Sequence, residues 1–203
     1  ADNILNNIEK KVDIDKILQK LHIEKLNDMQ LDVARAVATT ADDIIILSPT
    51  GSGKTLAYLL PSVFRLNPAL DTLQMVVMVP SRELAKQSVE VMRSMGVPLR
   101  GMALYGGRPA MEEHREINKL KPQVVFATPG RMNDHIAKHN VNPMGVRLLV
   151  IDEFDKSLEM GFADEMQRVV DSLPSVERRI LLSATDCPDI PRFVNMQHTC
   201  RID

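Results

Sequence analysis

Ser48-Pro49-Thr50-Gly51-Ser52-Gly53-Lys54-Thr55 brings two glycines, a lysine and several hydroxyls into one short stretch. That combination suits a phosphate. Gly51 and Gly53 let the backbone turn its N–H groups toward anionic oxygens. Lys54 can reach the outer phosphates of a nucleotide, and the Thr55 hydroxyl can ligate Mg²⁺. The general pattern asks for glycine at position 48, where this chain has serine. The β-branched run Ile44-Ile45-Ile46-Leu47 precedes the stretch, and a helical pattern opens near Lys54. A helix N-terminus there would add its positive dipole end. The other reading is a glycine-rich turn followed by a chance Lys-Thr pair.

A second cluster ends the apolar run Leu148–Ile151 with Asp152 and Glu153. At a strand end beside a phosphate loop, Asp152 can hold Mg²⁺ through water, and Glu153 can orient or polarise an attacking water. Phosphoryl transfer is mostly positioning and charge stabilisation, so no covalent intermediate is needed. The alternative is a pair of acids capping the next helix.

Composition narrows the partners. The net charge of -2 over 203 residues argues against a broadly basic coat for nucleic acid. Aromatics at 3% without tryptophan argue against a base-stacking platform. Any nucleic-acid contact must come from a few local groups. Cys187 and Cys200 lack the spacing of a zinc site or a CxxC pair, which points to a reduced, intracellular chain. No apolar run approaches the roughly 20 residues of a membrane span, and the N-terminus does not read as a signal peptide.

These groups need elements to hold them. Ile14, Ile17, Leu18 and Leu21 share one helical face, and a second helix is predicted over residues 28–38. Strands are predicted at 44–47, 75–79, 99–104, 124–127, 148–151 and 180–182, with a last one near His198–Ile202. Leu158, Phe162, Met166, Val169 and Leu173 form the clearest helical pattern between them. Arg178-Arg179 reads as a solvated pair on a loop, and the 12 methionines read as core filling. Continuous apolar strands alternating with helices imply an α/β fold, a mostly parallel twisted sheet with helices on both faces. Such a sheet carries its functional loops at the carboxyl ends of its strands. Nearly all of the suggestive clusters follow a strand. The expected organisation is one unit over 1–203, with helices in 1–40 and the phosphate-loop core in 41–203.

The full series runs Gln30, Ser48–Thr55, Pro80-Ser81-Arg82-Glu83-Leu84-Ala85, Gly106-Gly107, Thr128-Pro129-Gly130-Arg131, Asp152-Glu153-Phe154-Asp155 and Ser183-Ala184-Thr185. It resembles the first RecA-like domain of DEAD-box RNA helicases, from about residue 21 to 185. The resemblance implies a RecA-like P-loop NTPase that uses ATP and Mg²⁺. Gln30 would read the adenine edge. Residues 48–55 would cradle the phosphates, with Lys54, Asp152 and Glu153 catalytic and Thr55 and Asp152 on the metal. Pro80, Arg82, Gly106, Gly107, Thr128, Gly130 and Arg131 would hold single-stranded or duplex RNA by its backbone, largely independent of sequence. The Thr128–Arg131 turn could instead cap a helix with Arg131 solvated. Asp155, Ser183 and Thr185 would couple the two sites, both hydroxyls bonding Asp155.

The family's second RecA-like domain is expected to lie outside this chain, on a protein that is a cytoplasmic monomer, with the nucleus as the other compartment. Its arginine finger carries roughly 10³ to 10⁵ in turnover. The isolated chain should therefore bind ATP, hydrolyse it slowly and not unwind RNA alone.

Two stretches depart from the family. Phe154 stands where it has alanine, and must find room against Phe162 or the neighbouring strand. Ile23 stands where it has an aromatic residue, so it either replaces a stack on adenine by aliphatic contact or packs in the core. These departures motivate another reading, a nucleotide-gated RNA clamp or interaction module; a related DNA helicase is a further alternative, against which Gln30, Pro80–Ala85 and Thr128–Arg131 favour RNA.

Overall fold

The computed structural model describes residues 8–49, 51, 53–187 and 189–203, the first few of them, 8–12, as helix backbone only. Thr50 and Ser52 of the phosphate loop lie outside the described residues. Seven strands pair in parallel in the order β3-β4-β2-β5-β6-β1-β7. They are β1 (Asp43–Leu47), β2 (Met75–Met78), β3 (Gly101–Leu104), β4 (Val124–Ala127), β5 (Leu148–Ile151), β6 (Arg178–Ser183) and β7 (Thr199–Ile202).

Side chains alternate between the faces of a strand, and here both faces are apolar. Ile44 and Ile46, Met75 and Val77, Val124 and Phe126, Leu148 and Val150, and Ile180 and Leu182 face one core. That core is covered by α1 (Ile8–Lys20), α2 (Asp28–Thr39), α3 (Lys54–Val63) and α4 (Arg82–Ser94). Ile45, Val76, Met78, Val125, Leu149 and Leu181 face the other. It is covered by α5 (Ala110–Leu120), α6 (Pro129–Ala137), α7 (Phe154–Glu159) and α8 (Ala163–Asp171). Double burial explains why these strands read as unbroken apolar runs.

Two expectations change. The pattern from Leu158 to Leu173 is two helices, broken where Gly161 takes a left-handed φ of 80°. Glycine adopts that conformation without a Cβ clash. Phe162 precedes α8 and still packs on the core. Arg178 and Arg179 are not on a loop but open β6. Asp43, the first residue of β1, explains the second of them. Its buried carboxylate accepts from Arg179 N at 2.7 Å and from Gln197 N at 2.6 Å, with the Arg179 guanidinium at 3.5 Å. Arg178 turns the other way and donates to the carbonyl of Thr40, just past the end of α2.

Asp43 therefore ties β1, β6 and the approach to β7 at their amino ends. Asp43→Ala would leave Arg179 charged and unpaired in the interior, with an expected cost of about 3–5 kcal/mol. Urea unfolding reads this as a lower midpoint at unchanged slope. A loss of only about 0–1 kcal/mol, the scale of a surface pair, would show that this carboxylate does not organise the strand ends.

Candidate nucleotide and nucleic-acid site

The strand ends place the sequence clusters along one edge of the sheet. The Ser48–Lys54 loop follows β1, Ser183 closes β6 and Asp152 follows β5. Pro80 follows β2, Thr128 follows β4 and the Gly106-Gly107 turn follows β3. The ladder continues past the strands: Ser48 N donates to Ser183 O, Asp152 N to Met78 O, Val79 N to Ala127 O and Thr128 N to Leu104 O. Two strands, β5 and β6, are inserted between β1 and β2, and this leaves the phosphate loop apart from the turns after β2, β4 and β3.

At the phosphate loop, Gly51 and Gly53 both have left-handed backbones, with φ of 83° and 78°. Gly53 also admits a neighbour: a Cβ there would stand 2.6 Å from Gln30 Nε2. Gln30 is placed by a capping box at the start of α2. Its N donates to Asn27 Oδ1 at 2.8 Å, and its Oε1 accepts from Asn27 N at 2.9 Å. Its Nε2 donates to Gly53 O at 3.0 Å. A glutamine amide has two N–H donors and two acceptor lone pairs. These bonds use one of each, so one donor and one acceptor remain for a purine edge. Ser48 is buried, and its N–H is committed to Ser183 O. Thr55 is half-buried on the first turn of α3.

Lys54 Nζ bridges the acids, 3.1 Å from Asp152 Oδ1 and 3.4 Å from Glu153 Oε1. Asp152 is fully buried. Its Oδ1 also accepts from Glu153 N at 2.9 Å, while Oδ2 has no hydrogen-bond partner among the described residues. Burial pushes the Asp152 carboxyl above its ordinary pKa, Lys54 opposes the push, and the Glu153 carboxylate adds to it. The open oxygen of this buried carboxylate fits a hard divalent cation, which takes one or two carboxylates together with water and phosphate oxygens. Glu153 holds a left-handed φ of 49°, and its side chain makes no cap bond to α7. The acids are thus turned toward Lys54 rather than spent on capping. Backbone strain of this kind in a residue other than glycine is typical of working sites.

On the other half of the edge, Ser81 caps α4 by accepting from Leu84 N, and buried Pro80 precedes it. Arg82 is half exposed, and its guanidinium lies 6.0 Å from the Tyr105 ring, with Lys86 at 5.4 Å and Arg108 at 4.8 Å. Gly107 has a φ of 93°, and a Cβ there would meet Arg82 Nη1 at 3.3 Å. Thr128 precedes α6 without a side-chain cap bond. Gly130 is exposed, and no neighbour lies within 4 Å of where its Cβ would stand. Arg131 is not solvated. It is 9% exposed, its Nε lies 3.3 Å from Glu113 Oε1, and Nη2 donates to Arg108 O at 2.7 Å. Glu113 and Tyr105 belong to this cluster. Neither stood out in the sequence, where Glu113 is one of several charged residues on a polar helix.

Among the turns after β5 and β6, Thr185 Oγ1 and Thr185 N both donate to Asp155 Oδ2, at 3.0 and 3.1 Å. Burial works to raise the Asp155 pKa, but the Thr185 hydroxyl and the N–H groups of Lys156, Thr185 and Ala184 hold it below the ordinary value. Ser183 departs from expectation: its hydroxyl donates to Thr185 O at 2.7 Å rather than to Asp155. The turn thus presents only one hydroxyl to the acid.

Phe154 is fully buried, and its ring partner is Phe193, with centroids 6.4 Å apart, on the short turn Arg192–Val194. Phe162 packs on the same core from its edge. Ile23 packs against the core under α1 to α4.

Parallel order, loop placement and the paired acids define a RecA-like P-loop domain. Residues 27–190 match the DEAD/DEAH box helicase family, and the chain belongs to it. It is 33% identical over 183 residues to the DEAD-box ATP-dependent RNA helicase CshA of Bacillus subtilis, covering 89% of this chain and 37% of that protein. It is 37% identical over 146 residues to the ATP-dependent RNA helicase DeaD of Escherichia coli, covering 70% of this chain and 23% of that one. A DEAD box protein from the hyperthermophile Methanococcus jannaschii superposes with a TM-score of 0.81 at 26% identity, covering all of this chain and 53% of that one. The chain thus spans well under half the length of these curated relatives and about half of that solved structure.

Phe154→Ala, which installs the family's own residue, should open a cavity beside Phe193 and cost about 3–5 kcal/mol. Thermal unfolding measures the loss, and ADP affinity at a temperature where the variant is folded should stay unchanged. Lost ADP affinity in the folded variant would show that Phe154 supports the acids and not only the core.

Proposed function

We propose that this chain is one RecA-like unit that binds ATP and the RNA backbone within an ATP-dependent RNA helicase. The observation that carries the reading is the buried Lys54–Asp152 pair with one carboxylate oxygen left open, beside an amide that keeps a donor and an acceptor. Gln30 would read the adenine edge, and the loop from Ser48 to Thr55 would face the phosphates. Thr55 and Asp152 would hold Mg²⁺, which neutralises phosphate charge when bound. Lys54 would exchange a carboxylate for a phosphate oxygen, and Glu153 would orient the attacking water. These are positioning and electrostatic tasks, as phosphoryl transfer requires.

Arg82, the Gly106-Gly107 turn, Pro80, Thr128, Gly130 and the outer edge of Arg131 would take RNA phosphates and sugars. Such contacts carry little sequence information. The names of the relatives favour RNA over DNA, and the presence of Lys54, Asp152 and Glu153 together supports turnover over a clamp. Asp155, Thr185 and Ser183 would couple the two halves. A second RecA-like domain would supply the remaining contacts and the arginine finger. No described helix is long and apolar enough to cross a membrane; a monomer working in the cytoplasm fits the reading.

Titration calorimetry with ADP and Mg²⁺, repeated with GDP and with Lys54→Ala, tests it. ADP should bind, GDP should bind more weakly, and Lys54→Ala should lose about 2–3 kcal/mol, or roughly a hundredfold in affinity. Equal affinity for ADP and GDP would remove the role given to Gln30. No binding of either nucleotide to the folded chain would overturn the nucleotide site.

A further inference from the structure

Glu113 lies in the first turn of α5, outside every cluster that the sequence singles out, and it is fully buried. Its carboxylate meets four donors. Oε2 accepts from Tyr105 N at 2.9 Å and Arg108 Nε at 3.0 Å. Oε1 faces His135 Nε2 at 2.8 Å and Arg131 Nε at 3.3 Å. Asn140 Nδ2 stands 3.0 Å from His135 Nδ1, so the asparagine donates to that nitrogen and Nε2 is left to donate to Glu113. A carboxylate offers about four lone-pair sites; three hydrogen bonds and the ion pair with Arg131 engage both oxygens here. Burial alone would raise the acid's pKa, but His135, the Tyr105 N–H, Arg108 and Arg131 together lower it, and it stays ionised.

The donors come from two loops. Tyr105 and Arg108 flank the Gly106-Gly107 turn after β3. Arg131 closes the Thr128–Arg131 turn after β4, and His135 lies one turn further along α6. Apart from Glu113, these turns are joined by Arg131 Nη2 to Arg108 O and by Thr128 N to Leu104 O. A buried ion cluster of this type adds little net stability over an apolar one, but losing one member is costly. Its distinctive contribution is orientation.

We infer that Glu113 is a positioning residue that locks the turns after β3 and β4 into one RNA-facing surface. It does not touch RNA, since it has no exposed surface. It acts by fixing the plane of Arg131 and by holding Arg108 against Tyr105, the ring over which Arg82 and Lys86 also stand. This rests on the reading of that surface as an RNA site.

Glu113→Gln has the same shape but offers one acceptor oxygen and an NH₂ that faces other donors. Hydrogen exchange of the 203-residue chain, read by mass spectrometry, should show faster exchange in both 104–108 and 128–135, with 44–60 unchanged. Affinity for a labelled single-stranded oligouridine at low salt should fall about tenfold, the effect expected of leaving buried donors unpaired, while ADP affinity is retained. Glu113→Asp, which keeps the charge on a shorter stem, should recover part of both and serves if the glutamine variant does not fold. Loosening of only one turn, loosening that spreads into 44–60, or unchanged RNA affinity with both turns loosened would each overturn the inference. Wild-type chain that binds no oligouridine would count against the RNA reading instead, and the exchange pattern would still decide whether Glu113 joins the two turns.

Discussion

Parallel pairing of every neighbouring strand is the constraint from which the rest follows. When all strands run one way, their carboxyl ends share an edge, and each following loop must emerge there. With apolar cores on both faces, the strand interiors have no surface to spare for chemistry. The clusters suited to chemistry are therefore gathered in the loops along that edge. Strand order then divides them: β1 and β5 hold the residues proposed to meet the nucleotide, β2, β4 and β3 hold those proposed to meet the RNA backbone, and β6 stands between β5 and β1. The separation follows from inserting β5 and β6 between two strands that are consecutive in sequence.

Three buried carboxylates show how the same chemistry can serve different ends. Asp43 at the amino ends of the strands and Glu113 under the β3 and β4 turns have partners on both oxygens. Asp152 has partners on one oxygen only. An unpaired polar atom in the interior is costly. The pair with partners on both oxygens serves the architecture; the acid with an open oxygen is the one that the proposed function gives to Mg²⁺. Burial alone would not have separated them, because all three are almost wholly excluded from solvent.

Much of this was legible in the sequence. The strands β1, β2, β4 and β5 fall within a residue of their apolar runs because both faces are buried. Arg178 and Arg179 hid the start of β6, since their partners, Thr40 and Asp43, come from far earlier in the chain. The break at Gly161 was hidden because Leu158, Phe162 and Met166 keep a spacing of four across it, so the periodicity carries on although the helix does not. Phe193 as the partner of Phe154 and Glu113 as the partner of Arg131 were equally out of reach. A pairing between distant elements leaves no local pattern when each residue alone looks like an ordinary apolar or charged position.

The divided edge raises the question of how one half could inform the other. A contiguous path exists: Lys54 pairs with Asp152, Asp152 N bonds Met78 O at the end of β2, and β2 leads through Pro80 to Arg82 beside Tyr105. Asp155, just beyond the paired acids, is tied to Thr185 after β6. Contiguity alone is not a switch, which needs an element with two arrangements that both sites bias. Lys54 meets that requirement within the proposed function, because a phosphate and the Asp152 carboxylate compete for one ammonium. When the ammonium turns to a phosphate, the buried Asp152 loses its counter-charge and must be compensated at its open oxygen. Under that proposal, the exchange would act first where β5 meets β2, through the bond from Asp152 N to Met78 O.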